Sequence, residues 1–258
     1  MQAEPLDFPL KGKKLYFASD FHLGAPNAEE SKIREKRIIR WLDSVAEDAA
    51  AIFLVGDIFD FWFEYGEVIP KGFIPFISKI SQLRDQKIPI FFFTGNHDLW
   101  MKDYFTSELG IPVYHHPIAL SVEGKKILVG HGDGLGPGDQ SYKFLKKVFT
   151  NPVAKWLFRW FHPDLGIKLA KAWSGHSRIT NIAKDENHFL NDDEWLWQYC
   201  KEIEARFHHD LYIFGHRHLP LELPVGVKST YYNLGEWVTQ NTYLKLDSSG
   251  TQLLTFEK

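Results

Sequence analysis

The chain has 258 residues, 44% of them hydrophobic and 24% charged, which is an ordinary composition for a soluble globular protein. A chain of this length can bury one large core, so we expect a single domain over residues 1–258. The formal net charge of −3 provides no basic field for nucleic acid, and the single cysteine, Cys200, excludes an internal disulfide.

The N-terminal segment, residues 1–14, lacks the apolar core of a signal peptide. No uninterrupted apolar run approaches the roughly 20 residues that are needed to span a bilayer. We therefore expect a cytoplasmic protein. Nothing in the sequence demands an obligatory protein partner.

The first half of the chain alternates strands with helices. Short β-rich runs predict strands at 14–19, 51–55 and 88–93. Apolar residues at helical spacing predict helices at 28–48 and 73–86 between these strands. An alternation of this kind is typical of parallel βαβ units.

After a predicted helix at 99–109 the order of elements changes. Shorter strands are predicted at 113–122 and 126–129. A helical stretch at about 139–189 follows, and we interpret it as a cap inserted between two strands of one domain. The remainder is predicted to contain a helix, a strand and a strand-rich segment, at 192–207, 211–214 and 221–256.

Five polar clusters each follow a predicted strand at the point where it ends. They are Asp20–Phe21–His22, Gly56–Asp57 with Asp60, Gly95–Asp98, Gly130–Asp133 and Gly215–His218. Loops at the carboxyl ends of strands in an open α/β sheet converge on one crevice, where ligands bind. Asp20 and His22 are two residues apart, as are His216 and His218, and in an extended chain such side chains point to the same side. The spacing therefore predicts one shared site.

The side chains in these clusters are of the types that bind metal ions. Asp, Asn and His without a thiolate suit Mn²⁺, Fe or Zn²⁺, and many oxygen donors favour the harder ions. A carboxylate such as Asp57 can bridge two ions about 3.5–4 Å apart, which activate water and neutralise charge on a phosphate. Any one of these motifs alone is more often a turn, but five in succession outweigh that alternative. We predict two divalent ions, with Mn²⁺ preferred.

The clusters, with the sequences DFH, GDIFD, GNHD, GHGD and GHRH, resemble the motifs of the calcineurin-like metallophosphoesterase superfamily. The resemblance implies an α/β fold, a four-layer α/β/β/α sandwich with a helical cap insertion. It implies two sets of metal ligands: Asp20, His22, Asp57 and His218 for one ion, and Asp57, Asn96, His131 and His216 for the other. His97 would contact the phosphate or protonate the leaving group, and Asp98 would orient His97.

Within the superfamily the chain looks most like the UDP-2,3-diacylglucosamine pyrophosphatases (hydrolases) of lipid A biosynthesis. Residues 131–142 resemble that family's segment from the metal histidine to a substrate-contacting Asp, and Ser177, Asn181 and Lys184 keep its cap spacing on one helix face. The implied substrate contacts are Asn96, His97, Asp139, Ser177, Asn181, Lys184 and His216. The implied reaction is attack of water on the α-phosphorus, which gives UMP and 2,3-diacylglucosamine 1-phosphate.

Aromatic residues between Trp156 and Phe161 leave two interpretations of the cap open. They could line an apolar groove for acyl chains, next to lysines and an arginine that suit peripheral contact with the inner-membrane surface. They could instead bury one another in the core of a helical hairpin. The resemblance favours the lipid groove.

One position departs from the pattern of the pyrophosphatases, whose best-known members carry Arg where this chain has His97. The superfamily pattern has His there, so the departure concerns the substrate rather than catalysis. A metallophosphodiesterase for another nucleotide or phosphodiester is therefore an alternative. A non-catalytic scaffold is a remote one, because such proteins usually lose metal ligands and here every ligand position is filled.

Overall fold

The computed structural model describes residues 5–137, 140–169 and 189–257, which form two six-stranded sheets. In the first sheet the order is β12-β11-β2-β3-β4-β5, with β2–β5 parallel and β11 and β12 antiparallel. Its strands are β2 (Lys14–Ala18), β3 (Ala49–Val55), β4 (Ile90–Phe93), β5 (Val113–Tyr114), β11 (Thr242–Asp247) and β12 (Gly250–Thr255).

The second sheet has the order β1-β6-β7-β8-β10-β9 and is also mixed. Its strands are β1 (Leu6–Asp7), β6 (Ile118–Val122), β7 (Lys125–Gly130), β8 (Leu211–Phe214), β9 (Pro220–Pro224) and β10 (Thr230–Leu234). The central strands β7, β8 and β10 are parallel, whereas β6 and β9 are antiparallel to their neighbours β7 and β10.

Helices cover the outer faces of both sheets. The labelled helices are α1 (Ala28–Ala46), α2 (Ile74–Asp85), α3 (Tyr104–Leu109), α4 (Gln140–Thr150), α5 (Pro152–Arg159) and α6 (Trp195–Glu204), and residues 163–169 are also helical. Helix α1 begins after Asn27, whose side chain accepts hydrogen bonds from the amides of Glu29 and Glu30. Such a cap satisfies amides that have no partner inside the helix.

Strand β3 shows how the core is divided. Ile52 and Leu54 pack with the helices α1–α3, whereas Phe53 and Val55 face the second sheet. Both faces are buried, which explains why this strand is apolar throughout rather than alternating. On the far side, Leu196 and Cys200 of α6 pack on the second sheet. The order of layers is therefore helix, sheet, sheet, helix, which confirms the predicted fold class.

Two predicted elements differ from those in the structure. The strand expected at 113–122 is split into β5 and β6, which belong to different sheets, because the chain leaves the first sheet at His115–Pro117 and proline cannot donate to a ladder. The helix expected from residue 99 begins only at Tyr104, where the carboxylate of Glu64 accepts hydrogen bonds from the amides of Asp103 and Tyr104 (2.8 and 3.0 Å).

The described part of the insertion is helical, as predicted, with α4 and α5 followed by residues 163–169. The full extent of the cap and its membership of one domain stay predictions. In residues 5–137, 140–169 and 189–257, none of the helices combines the length and apolar character required to cross a bilayer.

Glu204, at the end of α6, accepts hydrogen bonds from Nδ1 of His208, the amide of His209, and the hydroxyls of Tyr212 and Ser229, at 2.7–3.0 Å. Burial alone would raise the pKa of Glu204, but these hydrogen bonds outweigh it and lower the pKa to about 2. Because the folded-state pKa is depressed, the stabilisation is present above the ordinary carboxyl pKa and is lost as the pH falls towards 2.

We expect Glu204→Gln to lower the free energy of unfolding at pH 7 by about 1–3 kcal/mol, since a neutral amide cannot accept from all four donors. Urea unfolding measures the change, and the difference from the unsubstituted protein should shrink between pH 5 and pH 2. Glu202→Gln, on an exposed part of the same helix, is the control and should have little effect. Equal stability of both variants at pH 7 would contradict the account.

Candidate metal centre

The five polar clusters lie together at one end of the two sheets. Three follow the neighbouring parallel strands β2, β3 and β4 of the first sheet, and two follow the neighbouring parallel strands β7 and β8 of the second. The loops that leave these strand ends meet across the gap between the sheets, so the site is built from both of them. The main chain ties the loops together: the amide of Asp20 donates to the carbonyl of Gly56, and that of Gly215 to the carbonyl of His131 (both 3.0 Å).

Two groups of candidate ligands share one carboxylate. Asp20, His22, Asp57 and His218 each offer a ligand atom, and these atoms all lie within 4.8 Å of one another. Asp57 forms a second group of the same kind with His131 and His216. The two groups contain six of the seven residues that the sequence predicted as ligands, divided between two positions as expected. Their role as ligands stays a prediction.

Asn96, the seventh predicted ligand, lies on the loop after β4. Its side-chain oxygen is buried and accepts no hydrogen bond from the described residues. A Cβ atom on the neighbouring Gly95 would lie 2.2 Å from Oδ1 of Asp57 and 2.6 Å from Nε2 of His131, so only glycine allows this loop to approach the two groups.

The donor atoms fit a divalent cation. The side-chain oxygen of Asn96 is buried without a hydrogen bond from the described residues, and Nε2 of His218 lies 3.1 Å from both Oδ1 of Asp20 and Nε2 of His22. Burying such atoms without hydrogen bonds costs free energy, which a bound cation would remove. Carboxylate, amide and imidazole donors without thiolate match a hard or borderline ion.

The backbone at the candidate ligands is not extended. The φ angles are positive at Asp20 (56°), His22 (44°), Asp57 (51°), His216 (70°) and His218 (51°), a region that non-glycine residues rarely adopt. The extended backbone that the spacing argument assumed is therefore wrong here, although Asp20 and His22 do join one group. His216 and His218 instead join different groups. Strained backbone of this kind is concentrated at functional sites.

Burial and neighbouring charges shift the pKa values of the acidic and imidazole groups in the site. Burial alone would raise the pKa of Asp57, but the charges of His131 and His97 hold it well below the usual value. Burial alone would lower the pKa of His131, but the charge of Asp57, whose Oδ2 lies 3.3 Å from Nε2, raises it to about 10. Burial, followed by the charge of His131, lowers the pKa of His216 to about 4, which favours the neutral imidazole.

His97 and Asp98 have different surroundings from those expected. The carboxylate of Asp98 accepts hydrogen bonds from the amides of Gly95 and Ile58 (2.7 and 2.8 Å), which fixes two of the site loops to each other. The predicted role of Asp98 in orienting His97 stays a prediction. Nδ1 of His97 lies 3.0 Å from the carbonyl oxygen of Asp60 and 3.7 Å from its carboxylate. Asp60 belongs to the second cluster, but its spacing gave no indication of this partner.

Asp133 is a buried acid that the sequence grouped with the fourth cluster without assigning it a role. Its Oδ2 accepts hydrogen bonds from the hydroxyl of Tyr142 (2.6 Å) and Nζ of Lys146 (2.5 Å), both on α4. The carboxylate therefore connects the first helix of the insertion to the loop that contains His131. Its pKa is lowered because His131 and Lys146 outweigh the effect of burial.

Some aromatic side chains of the described insertion pack against other parts of the protein, and others are exposed. Phe158 packs against Phe63 and Trp100, with ring centroids 4.8 and 5.0 Å apart. Four other apolar side chains remain 48–74% exposed: Trp156, Leu157, Trp160 and Phe161. Within the described residues these four side chains are exposed rather than buried in a hairpin core, although the rings of Trp156 and Trp160 lie 5.8 Å apart. The predicted substrate contacts Asp139, Ser177, Asn181 and Lys184 lie outside the described residues.

Comparisons with known proteins identify a family and similar chains. A family model described as calcineurin-like phosphoesterase matches residues 13–220. A UDP-2,3-diacylglucosamine hydrolase of Porphyromonas gingivalis is 38% identical over 256 residues, which cover 95% of this chain and 98% of the relative. The enzyme of the same name from Yersinia pseudotuberculosis is 28% identical over 247 residues, 93% of this chain and 98% of the relative. A solved structure of an archaeal phosphodiesterase has a TM-score of 0.46 and 14% identity, covering 93% of this chain and 98% of that one.

Proposed function

Because this chain belongs to the calcineurin-like phosphoesterase family and is a metal-dependent hydrolase, we propose that it cleaves the pyrophosphate of UDP-2,3-diacylglucosamine. The products would be UMP and 2,3-diacylglucosamine 1-phosphate. One geometric observation supports the hydrolysis above all: Asp57 belongs to both groups of candidate ligands, as a carboxylate that bridges two ions must. The substrate is inferred from the Porphyromonas relative, whose length this chain matches almost completely.

Asp20, His22, Asp57 and His218 would hold one divalent ion, and Asp57, Asn96, His131 and His216 the other, with Mn²⁺ preferred. When bound, such ions lower the pKa of water and neutralise charge on phosphate oxygens. The chain holds the carboxylate of Asp57 in place for this purpose, since its Oδ1 accepts a hydrogen bond from the amide of His97 (2.8 Å). Nδ1 of His131 lies 2.9 Å from the carbonyl oxygen of Val55, which would leave Nε2 as the metal-binding nitrogen.

His97 would act on the substrate directly. Its Nδ1 donates to the carbonyl oxygen of Asp60, which orients the ring and makes Nε2 the nitrogen that would face the phosphate. A proton on Nε2 could neutralise a phosphate oxygen or pass to the leaving group, in keeping with the two roles implied by the resemblance. Both roles need the imidazole to be fixed before the substrate binds, and the contact with Asp60 provides that.

The exposed aromatic face of the insertion would receive the acyl chains and contact the surface of the inner membrane from the cytoplasm. Trp156, Leu157, Trp160 and Phe161 present apolar surface next to the basic residues Lys155 and Arg159 of α5. Aromatic and basic side chains in this combination suit the interface of an anionic membrane. Asp139, Ser177, Asn181 and Lys184 would bind the polar head group, together with Asn96, His97 and His216.

The alternative of a phosphodiesterase for another nucleotide is favoured by one feature, His97 in place of Arg. Comparing turnover of UDP-2,3-diacylglucosamine with that of UDP-N-acetylglucosamine and bis-p-nitrophenyl phosphate, in the presence of Mn²⁺, separates the two. We expect release of UMP from the lipid substrate with kcat/KM at least about 100-fold higher than for either compound, because acyl chains contribute roughly 0.8 kcal/mol per buried methylene.

Lys184→Ala should lower kcat/KM for the lipid substrate by about tenfold or more, since it removes a charged contact to the head group. Lys168→Ala, an exposed lysine of the described insertion, is the matched control and should leave kcat/KM unchanged. Equal kcat/KM for the lipid and the soluble compounds, with no effect of Lys184→Ala, would favour the alternative substrate.

A further inference from the structure

A buried ion pair lies directly behind the last cluster of candidate ligands. Arg217, between His216 and His218 in the chain, pairs with Glu194 at the start of α6. The two side chains are 1% and 0% exposed. Nε of Arg217 lies 2.7 Å from Oε1 of Glu194 and Nη2 lies 3.1 Å from Oε2, so the contact is bidentate.

The ring of Trp195, which stacks on the guanidinium of Arg217, restrains it as well. Its central carbon lies 4.5 Å from the centre of the Trp195 ring. A bidentate carboxylate in the plane of the guanidinium and an aromatic ring over its face together define both its position and its orientation. A lysine could satisfy the charge of Glu194 but not this geometry.

The backbone on either side of Arg217 needs such support. His216 and His218 have φ angles of 70° and 51°, in the left-handed region that costs free energy for residues with a side chain. Other contacts also hold the main chain of the loop: the amide of His216 donates to Oδ2 of Asp20 (3.1 Å), the side-chain amide of Asn233 donates to the carbonyl of Gly215, and the amide of Arg217 donates to the same carbonyl (2.8 Å). The side chain of Arg217 restrains this loop further through its contacts with Glu194 and Trp195.

Because Arg217 lies between His216 and His218, this restraint affects both candidate metal positions. His216 belongs to the group with His131, and His218 belongs to the group with Asp20 and His22. A rotation of the backbone at Arg217 would move both imidazoles at once. Burying an ion pair costs desolvation free energy. Apolar residues of similar volume commonly stabilise a fold as much as such a pair or more, so the presence of this pair indicates a role other than stability.

We propose that the Arg217–Glu194 pair is a positioning device for the metal centre, which holds His216 and His218 in their strained conformations so that each reaches its own ion. The inference rests on the proposed two-metal function. It assigns no direct contact with substrate to either residue. Because Glu194 directly precedes α6, the pair also fixes the metal loop to the segment that follows the insertion.

The test measures metal binding separately from activity and from stability. Mn²⁺ titration of the full chain gives the number of bound ions and their affinities, thermal unfolding gives stability, and release of UMP gives kcat and KM. The variants are Arg217→Met, the double variant Arg217→Met with Glu194→Leu, and Arg217→Lys. Glu204→Gln is the control, because it loses hydrogen bonds at the other end of α6, away from the metal loop.

We expect the double variant to keep a melting temperature close to that of the unsubstituted protein, since no buried charge is left unpaired. Its affinity for Mn²⁺ should nevertheless fall by about 10–100-fold and kcat should fall with it, while KM changes less than about threefold. Arg217→Met alone should also lose stability, because Glu194 is left buried and unpaired. Arg217→Lys should recover part of the Mn²⁺ affinity. Glu204→Gln should lose stability without losing metal affinity.

Wild-type Mn²⁺ affinity and kcat in the double variant would overturn the positioning role. If the double variant does not fold, Glu194→Gln and Arg217→Lys decide the question, and unchanged Mn²⁺ affinity in both would overturn it equally. An unsubstituted protein that binds no Mn²⁺, Fe²⁺ or Zn²⁺ would refute the two-metal function itself, and that result is obtained before any variant is made.

Discussion

Asp57→Asn should abolish hydrolysis, with kcat/KM lowered by about a thousandfold or more. Asp57 is the single residue common to both groups of candidate ligands, and its carboxylate is almost completely buried. Asparagine keeps the shape of the side chain but removes its charge and one oxygen acceptor, so it cannot bridge two cations. The loss should therefore appear with every substrate, soluble or lipid-linked.

Metal analysis separates this explanation from unfolding. The Asp57→Asn protein should retain a native circular dichroism spectrum and bind fewer than two ions per chain. Asp43→Asn is the matched control, because Asp43 is 58% exposed and pairs only at the surface with Lys79, so its loss should change neither metal content nor kcat/KM. A folded Asp57→Asn protein with two bound ions and substantial activity would refute the shared-carboxylate assignment.

His97→Asn should lower kcat by about 10²–10⁴-fold while leaving two ions bound. His97 lies outside the two ligand groups that meet at Asp57, and its imidazole is oriented by Asp60. Asparagine can still form hydrogen bonds but cannot supply a proton. Single-turnover kinetics of UMP release, with metal content measured on the same sample, tests the expectation. His208→Asn, at a half-exposed histidine in the loop between α6 and β8, should leave kcat unchanged.

His97→Arg separates the two roles that His97 could have. Arginine keeps a positive charge for the phosphate but stays protonated, so it cannot give a proton to the leaving group. We expect Arg to recover part of the activity that Asn loses, because it supplies a positive charge for the phosphate that Asn lacks. Activity of His97→Arg as low as that of His97→Asn would instead assign leaving-group protonation to His97. Loss of bound metal in either variant would instead make His97 a ligand, in the third group of possible ligands that it forms with His22 and Asp60.

The arrangement of the metal centre could be predicted largely from local sequence. Asp20, Asp57 and His131 each follow an apolar run that ends at a polar residue, and the rule that strand ends converge at one edge places them together. Which ligands share an ion was implied only by the resemblance, and the structure brings six of the seven predicted ligands together in two groups. Spacing alone gave the wrong reason for the position of His216 and His218, because positive φ angles are not visible in a residue pattern.

Contacts between distant parts of the chain could not be predicted. Asp60 orients His97 across 37 positions, through a backbone carbonyl that has no sequence signature. Glu194 and Arg217 are separated by a helix and a strand, and neither lies in a motif that indicates the other. The division of residues 113–122 between two sheets was missed for a related reason, since an apolar run does not record which partner each half pairs with.

The central claim is tested most directly by running the UMP-release assay in ¹⁸O-labelled water with Mn²⁺ and UDP-2,3-diacylglucosamine, followed by mass analysis of both products. We predict one ¹⁸O atom in UMP and none in 2,3-diacylglucosamine 1-phosphate, because water attacks the α-phosphorus. Label in the lipid phosphate would contradict the site of attack. Absence of UMP, with two ions bound to the protein, would contradict the substrate.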